Sequence, residues 1–323
     1  MRRAVARTGF VDLLLLLVAA VWGSTYLAAK ELVTPSTVVA VLALRFLLTV
    51  VAMAPFCVPK LRAASRHELL TGLLLGSILS VVFVFETYGI AHTSATNAGL
   101  IISLTIVMTP VLDSVVGRAW LPPRFFVAAV LAVVGVALLA SGSGLRMPSY
   151  GDFLILAAAA VRAVHVTVMH RVSAGRQHDS LRLTFVQMGV AGIVFGLASP
   201  FAGTSAVALL PRLTLVQWAD LLYLVLVCTV FAFFVQMWAV RATSPSRVSL
   251  LLGTEPVWAL LVGVALAGDR PGLVGLVGAV LIIGGSAWGQ RIERLHRTAP
   301  TDAAPAVEVP AVEVPRPAGA PVG

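Results

Sequence analysis

Apolar residues in this chain do not recur with a period. They fill stretches of about twenty residues, punctuated by short clusters of Gly, Pro, Ser and basic residues. Neither the alternation of a half-buried strand nor the 3.6-residue stripe of a helix on a wet surface organises them. Their length is that of a helix crossing the hydrocarbon layer, about 20 residues. The breaks delimit spans near 11–29, 36–55, 69–90, 95–116 and 124–141, then 152–170, 182–200, 219–240, 246–267 and 272–289. The pattern predicts an all-α polytopic membrane protein of ten transmembrane helices.

Composition removes the soluble alternatives. Of 323 residues, 59% are hydrophobic and 11% charged, with a mean hydropathy of +0.97; a water-soluble fold cannot hide that much apolar surface. Soluble enzymes and nucleic-acid binders are excluded, and the spans leave no room for an extramembrane domain. The net charge of +9 is read as topology. With the N-terminus inside, cytoplasmic segments hold 17 Lys and Arg and external ones four, namely Lys30, Arg146, Arg212 and Arg270. Basic residues mark cytoplasmic loops, so both termini are expected in the cytoplasm and the protein in the plasma membrane. Arg2, Arg3 and Arg7 precede a first span read as retained rather than cleaved. Residues 1–10 form a cytoplasmic N-terminus, and the Pro-, Ala- and Val-rich stretch 291–323 a disordered cytoplasmic tail. Cys57 and Cys228 have neither metal-ligand nor disulfide spacing.

The two halves echo each other. Asp12 and Lys30 are eighteen residues apart at the ends of one span, as are Asp152 and His170, a rise of about 27 Å. TSATNAGLIISLTIVMTPV from Thr93 parallels TSPSRVSLLLGTEPV from Thr243, the first longer by four residues. A unit of five spans has odd parity, so its copy enters the membrane from the other side. The expected architecture is two inverted five-helix repeats, 11–142 and 151–290, whose interface near mid-membrane is where transporters place their sites.

WGSTYLAAK at Trp22, LRF at Leu44, GIAHTSATNAGLI at Gly89, AVHV at Ala163 and above all the stretch 228–270 resemble the EamA-type transporters of the drug/metabolite transporter superfamily. The resemblance covers about residues 10–290. It implies ten helices in two inverted five-helix units, a central cavity lined mainly by the first four helices of each, and export or exchange of small metabolites. Three positions depart from the pattern: Arg162 stands where an aromatic or apolar residue is usual, Ala119 replaces a Glu after the fourth helix, and Asp269 replaces one after the ninth.

Depth along each span separates interfacial charges from costly ones. Asp12, Lys30, Glu86, Asp113, Asp152 and His170 fall near span ends, where snorkelling or capping accounts for them. Arg45, Arg162, His165 and Glu255 fall nearer mid-depth and must face the bundle interior or water. Glu255 precedes Pro256, which removes a backbone donor and predicts a local break beside a carboxylate; the competing reading is a bridge from Glu255 to Arg45 or Arg162. Arg162 and His165 share a helix face, suited to holding a carboxylate or phosphate and to titrating near neutrality. With two arginines against one acid, an excess positive charge and a bias toward anionic or zwitterionic solutes are expected. Trp22, Ser24, Thr25, Tyr26, Asn97, Gln187, Thr229 and Gln236 are neutral donors or acceptors that line a cavity or join helices.

The expected activity is secondary transport, chiefly export, of small organic metabolites or drugs by alternating access. Its partners are the solute, the bilayer and a coupling proton or exchanged solute, with no nucleic acid, in a monomer or weak homodimer. No cofactor or metal is expected. The rival readings are an intramembrane enzyme, for which HExxH, GxSxG and GxGD motifs are all missing, and a membrane sensor or scaffold. Gly72 with Gly76, Gly192 with Gly196 and Gly285 with Gly289 are spaced for close helix approach.

Overall fold

A computed structural model describes residues 2–117, 120–141, 148–173, 179–242, 248 and 251–298. All regular structure among them is helical. In chain order the helices are α1 (Arg2–Leu32), α2 (Val38–Leu61), α3 (Arg66–His92), α4 (Ala95–Ile102), α5 (Thr105–Gly117), α6 (Pro123–Ser141), α7 (Tyr150–Ser173), α8 (Ser180–Ala198), the short α9 (Ala206–Leu209) and α10 (Leu215–Leu222). A π-helical stretch, Tyr223–Phe231, carries α10 into α11 (Ala232–Ala242), and α12 (Glu255–Ala265) and α13 (Gly272–Thr298) follow.

Nine stretches among the described residues are long and apolar enough to cross a membrane. They match the predicted spans except the ninth, where α12 is an apolar helix of only 11 residues. Residues 243–247 and 249–250 of that segment lie outside the described residues. The predicted break beside Glu255 is present: turn residues Gly253 and Thr254 precede it, so Pro256 occupies the first turn of α12 rather than interrupting a helix. Proline is favoured there because its missing N–H has no intrahelical partner anyway. The fourth span breaks as well, at Ser103 and Leu104 between α4 and α5. Pro110, inside α5, takes no part in that break. At the C-terminus α13 runs on to Thr298, so 291–298 are helical rather than part of the tail. Ile292 explains this by packing on the cluster of Leu121 and Phe125. The rest of the tail, 299–323, lies outside the described residues.

Side-chain caps set several starts. Ser65 accepts from the Glu68 amide at α3, Ser94 from Asn97 at α4 and Asp179 from Leu181 at α8, while Thr214 and Gln217 form a capping box on α10. Each satisfies an amide that the bilayer could not. Large apolar side chains such as Leu13, Val51, Leu197 and Val280 point outward and are mostly exposed. This is the inverse of a soluble protein and suits a lipid-facing surface.

Helices meet where side chains are missing. A Cβ on Gly72 or Gly76 would collide with Val186 or Val190 of α8, and one on Gly285 with the backbone of Ala128 and Ala132 in α6. Gly289 lies only at the edge of ordinary contact with Phe125. Gly192 and Gly196 touch nothing closer than ordinary contact with Leu47, so the expected tight approach is absent there. A close backbone-to-backbone crossing is one the spacing pattern does not flag. A Cβ on Gly278 of α13 would lie 2.5 Å from the Gly135 carbonyl oxygen and the Leu139 nitrogen of α6.

Candidate functional site: a central polar cavity

The α1, α2, α3, α7 and α8 helices, the π-helical segment, α11 and the start of α12 line a cavity of about 310 Å³. Ten of the twelve residues singled out from sequence border it: Trp22, Thr25 and Tyr26 of α1, Arg45 of α2, Arg162 and His165 of α7, Gln187 of α8, Thr229 of the π-helical segment, Gln236 of α11, and Glu255. Ser24 and Asn97 stand elsewhere. Ser24 hydrogen-bonds the Val21 carbonyl and lies 2.6 Å from the Tyr223 hydroxyl. Asn97 donates to Asp152 at 3.1 Å. Both join helices, which was the alternative reading for such residues.

Glu86, which depth counting puts near the end of its span, borders the same cavity and pairs with Arg162. The reason lies in the span edge. The α3 helix runs to His92, so Glu86 is six residues from its end, about 9 Å. Its carboxylate, with only 6% of the side chain exposed, needs a cation at that depth. The acidic residue within VFVFETYG was the available signal. Its presence also corrects the charge inventory: two arginines, Arg45 and Arg162, and two glutamates, Glu86 and Glu255, border the cavity, so the formal count is balanced rather than positive. Glu255 is not bridged to either arginine among the described residues. Its Oε1 accepts from the Tyr26 hydroxyl at 3.0 Å, at the N-terminus of α12, where the helix dipole favours a carboxylate.

The remaining polar groups are held in place by local chemistry. His165 donates from Nε2 to Gln187 Oε1 at 2.9 Å, which joins α7 to α8 and fixes the imidazole. The wider winding of Tyr223–Phe231 shifts backbone carbonyls out of the α-helical ladder. The Cys228 carbonyl accepts from Trp22 Nε1 at 2.9 Å, and Thr229 donates to the Leu224 carbonyl five residues back. Arg45 has no acidic partner among the described residues; its guanidinium carbon lies 5.2 Å from the centre of the Phe83 ring and 5.8 Å from that of Phe46. Ring faces compensate a desolvated cation by about 2 kcal/mol, less than an arginine costs at bilayer depth, about 3 kcal/mol or more.

Carboxylates also knot one end of the bundle, where α1 and α3 finish and α7 begins. Asp152 accepts from the Thr93 hydroxyl, the Asn97 amide and the Ser149 amide and hydroxyl, while Lys30 donates to the Thr93 carbonyl. Asp269 accepts from the Thr96 amide at 2.8 Å and so caps α4 from the far half of the chain. At the opposite end Glu68 accepts from Arg182 Nε and the Asp179 amide, and Arg171 pairs with Asp113 at 3.4 Å. No cluster of His, Cys, Asp and Glu among the described residues is arranged to hold a metal ion.

The signature of the EamA-like transporter family matches this chain twice, over residues 9–141 and 149–288. The chain belongs to the EamA-like transporter family. An uncharacterized transporter of Archaeoglobus fulgidus is 28% identical over 274 residues, covering 85% of this chain and 83% of the relative. The uncharacterized transporter YetK of Bacillus subtilis is 28% identical over 281 residues, 82% of each chain. A solved crystal structure is similar in fold, with a TM-score of 0.58 at 16% identity over 90% of this chain and 99% of that one. As an EamA-family transporter, the protein is a multi-pass membrane protein whose partners are a small solute and the bilayer.

Proposed function

We propose that this EamA-family member is a secondary transporter that exports small organic solutes across the plasma membrane by alternating access, with the central cavity as its solute site. The observation that carries this reading is the cavity itself: ionisable groups from both halves of the chain converge on one space deep in the bundle. Two inverted five-helix repeats fit the packing. The α3 helix packs on α7 as the eighth span packs on α1, and α12 packs on α1 as α4 and α5 pack on α7, while α2 on α8 and α6 on α13 exchange with themselves. Such an arrangement rocks about a fixed central site. The knots around Asp152 and Asp269 at one end, and Glu68 with Arg182 at the other, are the contacts that opening on either side must break. With both termini cytoplasmic, the first is the external gate.

Glu255 is the proposed proton carrier, because it opens α12 at the break in the ninth segment and is held by a hydroxyl rather than a cation. Reconstituted in liposomes, Glu255→Gln is expected to insert and fold normally, to lose most counterflow, and to lose the pH dependence of what remains. Unchanged pH dependence in that variant would make Glu255 a structural residue.

Orientation is tested with single cysteines in a background where Cys57 and Cys228 are alanine. Ser149 and Asp269 hold the gate together and are poor probe positions. Val207, which is 79% exposed, and Ala63, exposed after α2, are better ones. In intact cells Val207→Cys should react with an impermeant maleimide and Ala63→Cys should not; the opposite labelling would invert the topology.

A further inference from the structure

Arg45 differs from the other charged groups of the cavity. The residue is only 9% exposed and makes no ion pair with a described residue, and its Nε lacks a hydrogen-bond partner; the Arg162 Nε lacks one too, but its guanidinium is paired with Glu86. Phe83 and Phe46 steady its guanidinium but leave its hydrogen-bond donors without an acceptor. Glu86 and Arg162, which border the same cavity, are tied to each other. A planar fork of donors beside a cavity with no fixed acceptor is the arrangement that captures a carboxylate in bidentate fashion.

We infer that Arg45 anchors the carboxylate of the solute, and that the cavity takes a small monocarboxylate with an apolar body. This rests on the transport reading above and names the substrate class for it. The single charge follows from the inventory: a dianion such as phosphate would need a second unspent cation, and Arg162 is committed to Glu86 while Glu255 lies across the same space. The apolar body follows from the walls, which include Leu79, Val166, Met169, Met188 and Phe233. A volume of about 310 Å³ accommodates a molecule of the size of phenylacetate.

The test uses the purified full-length protein, with quenching of tryptophan fluorescence for binding and liposome counterflow for transport. The probes are isovalerate and phenylacetate, their isosteric amides, and inorganic phosphate. Each carboxylate should bind about tenfold or more tightly than its amide, as an added charge-assisted pair implies, and phosphate should not compete. Arg45→Gln should bring the carboxylate-to-amide ratio near one, while Arg212→Gln, which removes an exposed arginine away from the cavity, should keep it. Arg45→Lys preserves the charge but not the fork and should lower the ratio at least about threefold; it serves if Arg45→Gln fails to fold. A wild-type protein without carboxylate preference overturns the inference, as does a ratio that survives in a folded Arg45 variant or phosphate binding more tightly than either carboxylate. Counterflow of neutral or cationic solutes without that preference removes the inference and leaves the transport reading intact. Carboxylate binding that depends on Arg45, with no counterflow of any solute, removes the transport reading instead.

Discussion

Arg162→Leu is expected to destabilise the protein by about 3 kcal/mol, because it strands the Glu86 carboxylate beside a cavity that already holds Glu255. The low end of the range for breaking buried pairs applies, since 31% of the Arg162 side chain is exposed in the pair while Glu86 is almost wholly covered. Adding Glu86→Gln to Arg162→Leu should recover most of the loss, since the stranded charge rather than the missing contact carries the cost. Thermal unfolding of the two variants in detergent gives the comparison. Equal loss in the single and double variants would mean that the Arg162 side chain acts by packing rather than by charge.

Gly278→Val is expected to abolish accumulation of folded protein. The added Cβ would sit 2.5 Å from both the Gly135 carbonyl oxygen and the Leu139 nitrogen, so no rotamer change relieves it and α13 must move away from α6. Overpacking typically costs about 1–3 kcal/mol where side chains can shift; a backbone-to-backbone clash lies at or above the top of that range. Gly284→Val, on the same helix at a position with open space around it, should fold. Comparable expression and size-exclusion profiles for the two variants would show that α6 and α13 need not approach so closely.

The candidate site was partly legible in the chain. Arg45, Arg162, His165 and Glu255 stood out because an ionisable side chain at mid-depth has no cheap alternative to the bundle interior, and all four border the cavity. Glu86 escaped the same reasoning because depth was counted from a span edge placed two residues short of the end of α3. Asn97 and Ser24 were drawn in with their neighbours, but a neutral polar group is as well satisfied between helices as beside a solute. Nothing local marked Gly135 and Gly278 as partners, since their approach depends on how two distant helices cross.

What the sequence determined by itself is whatever the bilayer imposes on each segment separately. A backbone in hydrocarbon must satisfy its own hydrogen bonds, so length and apolar content specify the spans without any long-range contact. Mid-depth charge likewise reports burial, whatever the neighbours. Which side chains meet was decided only by the tertiary structure. Glu86 and Arg162 are 76 positions apart, and Trp22 and the Cys228 carbonyl 206. Helices that are apolar on every side carry no wet face to set their rotation. Close packing at small residues and the pairing of the few buried polar groups set that rotation instead, and through it assigned Glu86 to Arg162, Tyr26 to Glu255, and left Arg45 facing the cavity with two phenylalanine rings beside it.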